Sequence, residues 1–277
     1  MAVLLALCSA TTFGVGDFFG GLASKRVAAT AVLLWSHVGG VLLLLATTVV
    51  VSGEATGHDV GLGAVGGVVG ALGVALLYQA LAIGPMSAVA PVTALLAAAV
   101  PVAFGFAQGE RPAATMLVGM VAACVAIVLV SAEGGGGFRP SDLRGVGLAL
   151  GAGLCFGVFF VILSYTSDAS GVWPLVGARL TSATLVGVLA LTRRVDGAFP
   201  VSGARLLTLG AGTLDVVANV LYLLAIREGL LSIVSVLTSL YPVSTVLLAR
   251  VVLGERYARL QRIGIVIALP AAILMAL

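Results

Sequence analysis

Four ionisable side chains lie inside long apolar runs of this sequence: Asp17, His37, Arg179 and Asp215. A charge at the centre of a bilayer costs about 2.5–3.5 kcal/mol on insertion scales, so such residues face a protein interior or a wet cavity and mark proton relays, ion paths or ligand sites. A carboxylate there can carry a proton. A guanidinium can pair with a carboxylate, or hold a carboxylate or phosphate of a ligand through its planar fork. Asp17 stands in FGVGDFFGG, residues 13–21, about five residues before its run ends. It reads either as a cavity carboxylate that exchanges protons or as a helix-end carboxylate paired with Lys25 and Arg26. Asp215 lies about eleven residues into its run, where a short side chain reaches no interface, and it requires a partner. Arg179 reads first as the mate of an aspartate and second as a ligand for anionic cargo. His37 reads as a packed, hydrogen-bonded histidine more than as a switch.

Around these residues the neutral polar groups fall into patterns. Asn219 and Tyr222 follow Asp215 at i+4 and i+7, which puts all three on one helix stripe, read here as a cavity wall in preference to an interhelical hydrogen-bond cluster. Tyr78 is the corresponding tyrosine of an earlier run. Ser232, Ser235, Ser239 and Pro242 are spaced i, i+3, i+7 and i+10 on another face; Ser235 and Ser239, with the adjacent Tyr241, complete the candidate set. The fourth run carries Pro91 and Pro101. Interrupted helices in matching segments of two halves point to a transporter's binding site, although Pro242 stands opposite Ala97 and not opposite a proline. Glycine pairs such as Gly16 with Gly20, Gly66 with Gly70 and Gly153 with Gly157 read as close helix contacts.

The elements that must hold these residues follow from composition. The chain has 277 residues, is 61% hydrophobic and 9% charged, and has a mean hydropathy of +1.22, values that a water-soluble core and shell cannot produce. A hydrocarbon core about 30 Å thick needs roughly 20 apolar residues of helix. Lipid satisfies no backbone polar group, which leaves helices or a closed barrel, and continuous apolar runs without two-residue alternation choose helices. Ten spans are expected, at 2–22, 30–51, 60–83, 86–107, 112–131, 145–166, 172–192, 204–226, 229–253 and 259–277. Residues 1–22 read as the first span and not as a secretory signal, for want of a positive n-region and because of Asp17. Cys8, Cys124 and Cys155 lie in apolar runs and read as buried packing thiols. No metal or cofactor is called for. The phosphate-binding pattern GxxxxGK[ST] is absent, so energy would come from an ion or solute gradient. The net charge of +3 bears on membrane orientation and not on nucleic acid.

The glycine-rich stretch from Glu133 to Arg144 divides the spans five and five, giving a first unit at residues 1–132 and a second at 145–277. A shift of 145 superimposes Gly84 on Gly229, Ser87 on Ser232, Thr93 on Thr238 and Gly109-Glu110-Arg111 on Gly254-Glu255-Arg256. A shift of 142 brings His37 onto Arg179. An odd number of spans per unit makes the second enter the membrane from the opposite side, the inverted-repeat design of secondary transporters.

Ten spans in two five-helix repeats, with an LGER-like turn after the fourth helix of each, resemble the EamA branch of the drug/metabolite transporter superfamily. The resemblance spans the chain and is densest from Leu214 to Gly264; it departs at Phe13-Gly14, where family members often carry a tryptophan-glycine pair. It implies an all-α integral membrane protein with ten transmembrane helices, two inverted repeats and a central cavity. The implied activity is secondary transport, as an exporter or permease of small metabolites such as amino acids by alternating access, or efflux of amphipathic drugs. The protein would be a multi-pass protein of the inner or plasma membrane, a monomer or homodimer, with its substrate and the bilayer as partners and with possible proton coupling. Related small multidrug transporters use a first-helix carboxylate for that coupling.

Of fourteen Lys and Arg, eleven fall in loops on the side opposite the termini and two, Arg111 and Arg227, on the terminal side. The positive-inside rule then places the termini outside, whereas the resemblance implies cytoplasmic termini. An intramembrane aspartyl protease reading rests on GVGD at Gly14–Asp17 with Asp215 as second acid. It fails on pattern: Asp215 follows the tetrad, is preceded by Leu214, and only Leu269-Pro270-Ala271 resembles the third motif. A scaffold or channel gives no account of the five-plus-five repeat.

Overall fold

The computed structural model describes residues 1–24, 26–83, 86–131, 143–192, 202–254 and 258–277. Its helices are α1 (Ala2–Ser24), α2 (Ala29–Val50), α3 (Gly57–Ile83), α4 (Met86–Ala107), α5 (Ala114–Ser131), α6 (Leu143–Ser164), α7 (Trp173–Thr192), α8 (Ser202–Glu228), α9 (Leu231–Thr238), α10 (Tyr241–Leu253) and α11 (Arg259–Ala276). One 3-10 turn, Asp168–Ser170, precedes α7. Among the described residues nine segments are long and apolar enough to cross a bilayer, α9 and α10 counting together as one, and Val92–Ala107 of α4 adds a shorter apolar stretch. Residues 133–142 of the Gly-rich connection and the Arg193-Arg194 loop lie outside the described residues, whereas Leu143 and Arg144, expected in that connection, open α6.

Lipid is as apolar as leucine, so nothing drives large side chains inward, and helices associate where small residues let backbones approach. Burial follows that rule. Ala6, Ala94, Ala123, Ala126, Ala149, Ala218 and Ala271 are fully buried, while Leu42, Val121, Leu191, Leu206, Val251 and Leu269 are exposed. The glycine pairs named above sit at such contacts: Gly66 on Phe159, Gly153 on the carbonyl of Thr93, Gly157 on Val100, Gly16 on Leu214. Of the cysteines expected to be buried, Cys8 is exposed on α1, and Cys124 and Cys155 are half-buried; all three are free thiols.

The helices cross alternately. Turns 51–56, 108–113, 165–172 and 229–230 share one face with both termini, as the contact of Gly229 with Ala2 and the bonds Gln108 to Tyr165 (2.9 Å) and Trp173 to Gly53 (3.2 Å) record. The opposite, basic face has the bond from Arg26 to the carbonyl of Gly203, 2.6 Å. In the interior, α1 runs along α8 and α3 along α6; α2 meets α8 and α3 meets α7; α1 meets α9 and α10, and α4 meets α6; α5 lies on α11, α2 on α7 and α4 on α9.

Where one ninth span was expected, the chain makes two helices parted at Ser239 (φ −69°, ψ −3°) and Leu240 (φ −74°, ψ 2°). Pro242 has no N–H to return to the carbonyl of Thr238, and its ring crowds that carbonyl. The backbone tightens instead, with Leu240 N–H on the carbonyl of Leu237 (3.1 Å) and Val243 N–H on that of Leu240 (2.9 Å). No matching interruption occurs in α4, whose helix runs unbroken through Pro101.

Candidate functional site

Arg179 on α7 donates through Nη2 to Asp215 Oδ2 on α8. One turn on, Asn219 Nδ2 donates to the backbone carbonyl of Asp215 (2.8 Å) and to its Oδ2 (3.3 Å), so the side chain of Asn219 fixes the carboxylate as well. Gly40 on α2 lies close against the pair: a Cβ there would lie 3.1 Å from Val216 Cγ2 and 3.3 Å from Arg179 Nε. His37, one turn before Gly40, is 8% exposed and places Nδ1 2.8 Å from the carbonyl of Leu33, the packed and hydrogen-bonded arrangement its sequence context indicated. The pair is not sealed. Arg179's side chain is 12% exposed and Asp215's is 40%, so the helices leave part of the carboxylate uncovered.

Asp17 occupies a second position on the same scaffold. At about 100° of rotation per residue, it stands roughly 60° from Gly14 and 100° from Gly16. Gly14 packs on Ser244 and on the carbonyl of Tyr241 in α10, and Thr245 donates to the carbonyl of Gly14 at 3.0 Å. Gly16 packs on Leu214 and the amide of Asp215 in α8. Asp17 therefore faces the gap between α8 and α10, about one helical turn along α1 from the contact with Tyr241. By surface area it is exposed there, although protein atoms surround it closely. Among the described residues no cation or donor holds it; Arg26, one of its two expected partners, is engaged by Gly203, and Lys25 lies outside the described residues.

The remaining candidates divide. Tyr222 is fully buried, its hydroxyl 2.9 Å from that of Ser235 and its ring stacked on Phe160 at a 4.1 Å centroid distance. Ser235 is fully buried and Ser239 is 2% exposed. In this conformation the lower part of the Asp215–Tyr222 stripe is thus a packed hydrogen-bond cluster, and only its Asp215 end is accessible. Tyr222→Phe is expected to lower unfolding free energy by about 1 kcal/mol, through one lost interhelical hydrogen bond and an orphaned Ser235 hydroxyl, without changing ligand affinity; thermal unfolding and ligand titration of the purified variant test both halves. Tyr241 is half-buried beside the break. Tyr78 lies on α3, with its side chain outside the described residues.

Three polar groups outside the candidate set organise the terminal face. Asp59 joins Thr56 in a reciprocal cap of α3 and accepts the amide of Ser167 at 3.0 Å. Arg227, at the end of α8, donates to the carbonyls of Ser167 (3.1 Å) and Gly171 (2.9 Å) and lies 3.5 Å from Asp168. Glu110, in the repeated Gly-Glu-Arg, accepts the amides of Leu231 (2.7 Å) and Ser232 (3.1 Å) at the start of α9. Only the last had a sequence signal, the recurrence of the tripeptide.

The sequence profile of the EamA-like transporter family matches residues 143–277. No curated protein matches the chain. A protein of known crystal structure, whose description says nothing of its activity, is similar over 99% of this chain and 95% of its own, with a TM-score of 0.84 and 18% identity. At that identity the likeness is one of fold.

Proposed function

Because residues 143–277 match the EamA-like transporter family, we propose that the whole chain is a secondary transporter of small metabolites, an exporter or permease working by alternating access. The observation that carries this reading is the accessible acid–base group at mid-depth: an unpaired carboxylate, Asp17, beside a half-open Arg179–Asp215 pair. Such a group matches a zwitterion, with Asp17 or Asp215 for an ammonium and Arg179 for a carboxylate, and amino acids are the substrate class proposed. The chain's place is the inner or plasma membrane.

Two five-helix units, residues 1–132 and 145–277, are the moving parts in this proposal. Its support lies in the packing. Exchange α1 through α5 with α6, α7, α8, α9–α10 and α11, and each pairing named above turns into another of them: α1 with α8 becomes α6 with α3, and α5 with α11 returns itself. Moreover α1 starts at the terminal face and α6 at the basic face, as inverted units require.

For coupling, Asp17 is the better proton carrier of the two acids, since it can bind and release a proton without first breaking an ion pair. A thermal-shift screen of amino acids on purified protein, followed by counterflow in liposomes, tests the function. Asp17→Asn is expected to abolish the pH dependence of concentrative uptake while counterflow persists at a fixed pH. Unaltered pH dependence in that variant overturns the assignment, and absence of both shift and counterflow with every amino acid overturns the substrate class.

Efflux of amphipathic compounds is the second reading. A groove of about 600 Å³ opens between α4 and α5, lined almost wholly by apolar side chains such as Leu95, Val102, Leu117 and Val125, and reaches Val236 on α9. It offers entry from lipid. Stabilisation by lipophilic cations and not by amino acids in the same screen favours that reading.

A further inference from the structure

We infer that Glu110 is the latch of the terminal face: its carboxylate holds α9 closed against the α4–α5 turn and must release it when α9 swings about the Ser239–Leu240 break. The inference rests on the alternating-access reading above and adds to it the moving element and the group that restrains it.

The restraint is chemically specific. The first amides of a helix have no partner within it and carry the positive end of its dipole. Leu230, which precedes α9, supplies no side-chain cap. A residue 121 positions earlier supplies it instead, one carboxylate oxygen to each of two successive amides. The turn is shaped for this purpose. Gly109 at φ 90° reverses the chain after α4, the amide of Glu110 returns to the carbonyl of Gly105 at 2.9 Å, and a Cβ on Gly105 would lie 2.3 Å from Glu110 Oε2. With no side chain at Gly105, the carboxylate has room to fold back over α4.

What the latch covers is polar and unsatisfied. Ser232, Thr238 and Ser239 are between 0 and 2% exposed, and their hydroxyls have no hydrogen-bond partner among the described residues. Burying an unpaired hydroxyl is unfavourable by an amount comparable to a lost hydrogen bond. Two on one eight-residue helix and a third at its C-terminal end favour a second arrangement in which water or cargo meets them. The means to reach it lies at the end of α9, where Pro242 has already removed one helical hydrogen bond, so α9 is joined to α10 by the tightened bonds of Leu240 and Val243 and not by a continuous helical ladder. Opening at the terminal face would thus convert a buried hydroxyl seam into the wall of an aqueous path.

The test uses the full chain in proteoliposomes, with Cys8, Cys124 and Cys155 replaced by alanine and a single Ser232→Cys. Labelling by a membrane-impermeant maleimide is measured from the terminal face. Glu110→Gln, which keeps size but loses the charge, is expected to raise the labelling rate roughly tenfold, the order expected for loss of a charge-assisted bond. Gly105→Ala, which keeps the charge but denies the carboxylate its position, is expected to do the same. Ile127→Cys, fully buried between α5 and α11, stays protected in both backgrounds. Equal increases at Ser232→Cys and Ile127→Cys mean that Glu110 only stabilises the fold, and unchanged labelling at Ser232→Cys means that it restrains nothing; either result overturns the latch. Counterflow measured on the same vesicles separates the two claims: transport with no change in labelling sinks the latch alone, and changed labelling in a chain that exchanges no solute sinks the transport reading alone.

Discussion

Arg179→Ala is expected to abolish transport and to lower stability by about 2–3 kcal/mol, and pairing it with Asp215→Asn is expected to restore most of the stability but none of the transport. Removing one partner of a fully buried ion pair leaves an uncompensated charge and is destabilising by roughly 3–5 kcal/mol. The figure is smaller here because Asp215 is 40% exposed, so water screens the carboxylate that remains. Asn219 also continues to donate to it. Neutralising Asp215 in the Arg179→Ala background removes the stranded charge, which is why stability returns. Transport does not, because the guanidinium is the only cation that the described residues place beside the accessible acids. A double-mutant cycle on thermal unfolding gives the coupling directly, and counterflow gives the function. If the double variant is as unstable as Arg179→Ala, the two side chains are not partners. If Arg179→Ala exchanges substrate at the normal rate, the pair is structural only.

That pair was legible in the sequence, and Pro242 marked the ninth span as a point of interruption, although one continuous helix was expected there. Asp215 at mid-span needs a cation, Arg179 is the arginine that lies deepest inside an expected span, and Pro242 cannot complete the helix through Thr238. The directions of the other residues were not legible. When lipid and protein interior are equally apolar, hydropathy does not report which side of a helix faces inward, so Cys8 could be expected inside and is exposed, and Tyr222 could be expected on a cavity wall and is fully buried. Small residues were the better guide, since Gly14, Gly16 and Gly40 mark where α10, α8 and Arg179 come close. The cap on α9 lay beyond reach because it joins residues 121 apart through backbone amides, which carry no sequence signature. The recurrence of Gly-Glu-Arg announced that the turn matters without saying what it holds.

Gly63→Ala is expected to leave little folded protein in the membrane, while Gly61→Ala, one half-turn away on the same helix, folds normally. On α3 a Cβ at Gly63 would lie 1.9 Å from the carbonyl oxygen of Pro174, and one at Gly67 would lie 2.3 Å from that of Ala178. Gly177 on α7 completes the seam from the other side, 2.4 Å from the carbonyl of Val60. These obstacles are backbone, so no rotamer change relieves them and the two helices must move apart. In lipid that contact has no hydrophobic drive behind it; it is held by van der Waals packing and by Cα–H to carbonyl approaches that separation abolishes. Overpacking a core is typically destabilising by about 1–3 kcal/mol, and a methyl driven into a main-chain carbonyl belongs at or beyond the upper end. At Gly61 nothing lies within 4 Å, and alanine there should stabilise by roughly 0.5–1 kcal/mol through helix propensity. Arg179 is the residue after Ala178, so a displaced α7 also withdraws the guanidinium from Asp215, and any Gly67→Ala protein that does fold should lose counterflow. Size-exclusion profiles in detergent and thermal midpoints of the three variants decide the matter. A monodisperse Gly63→Ala protein with an unchanged midpoint would show that α3 and α7 do not meet through these glycines.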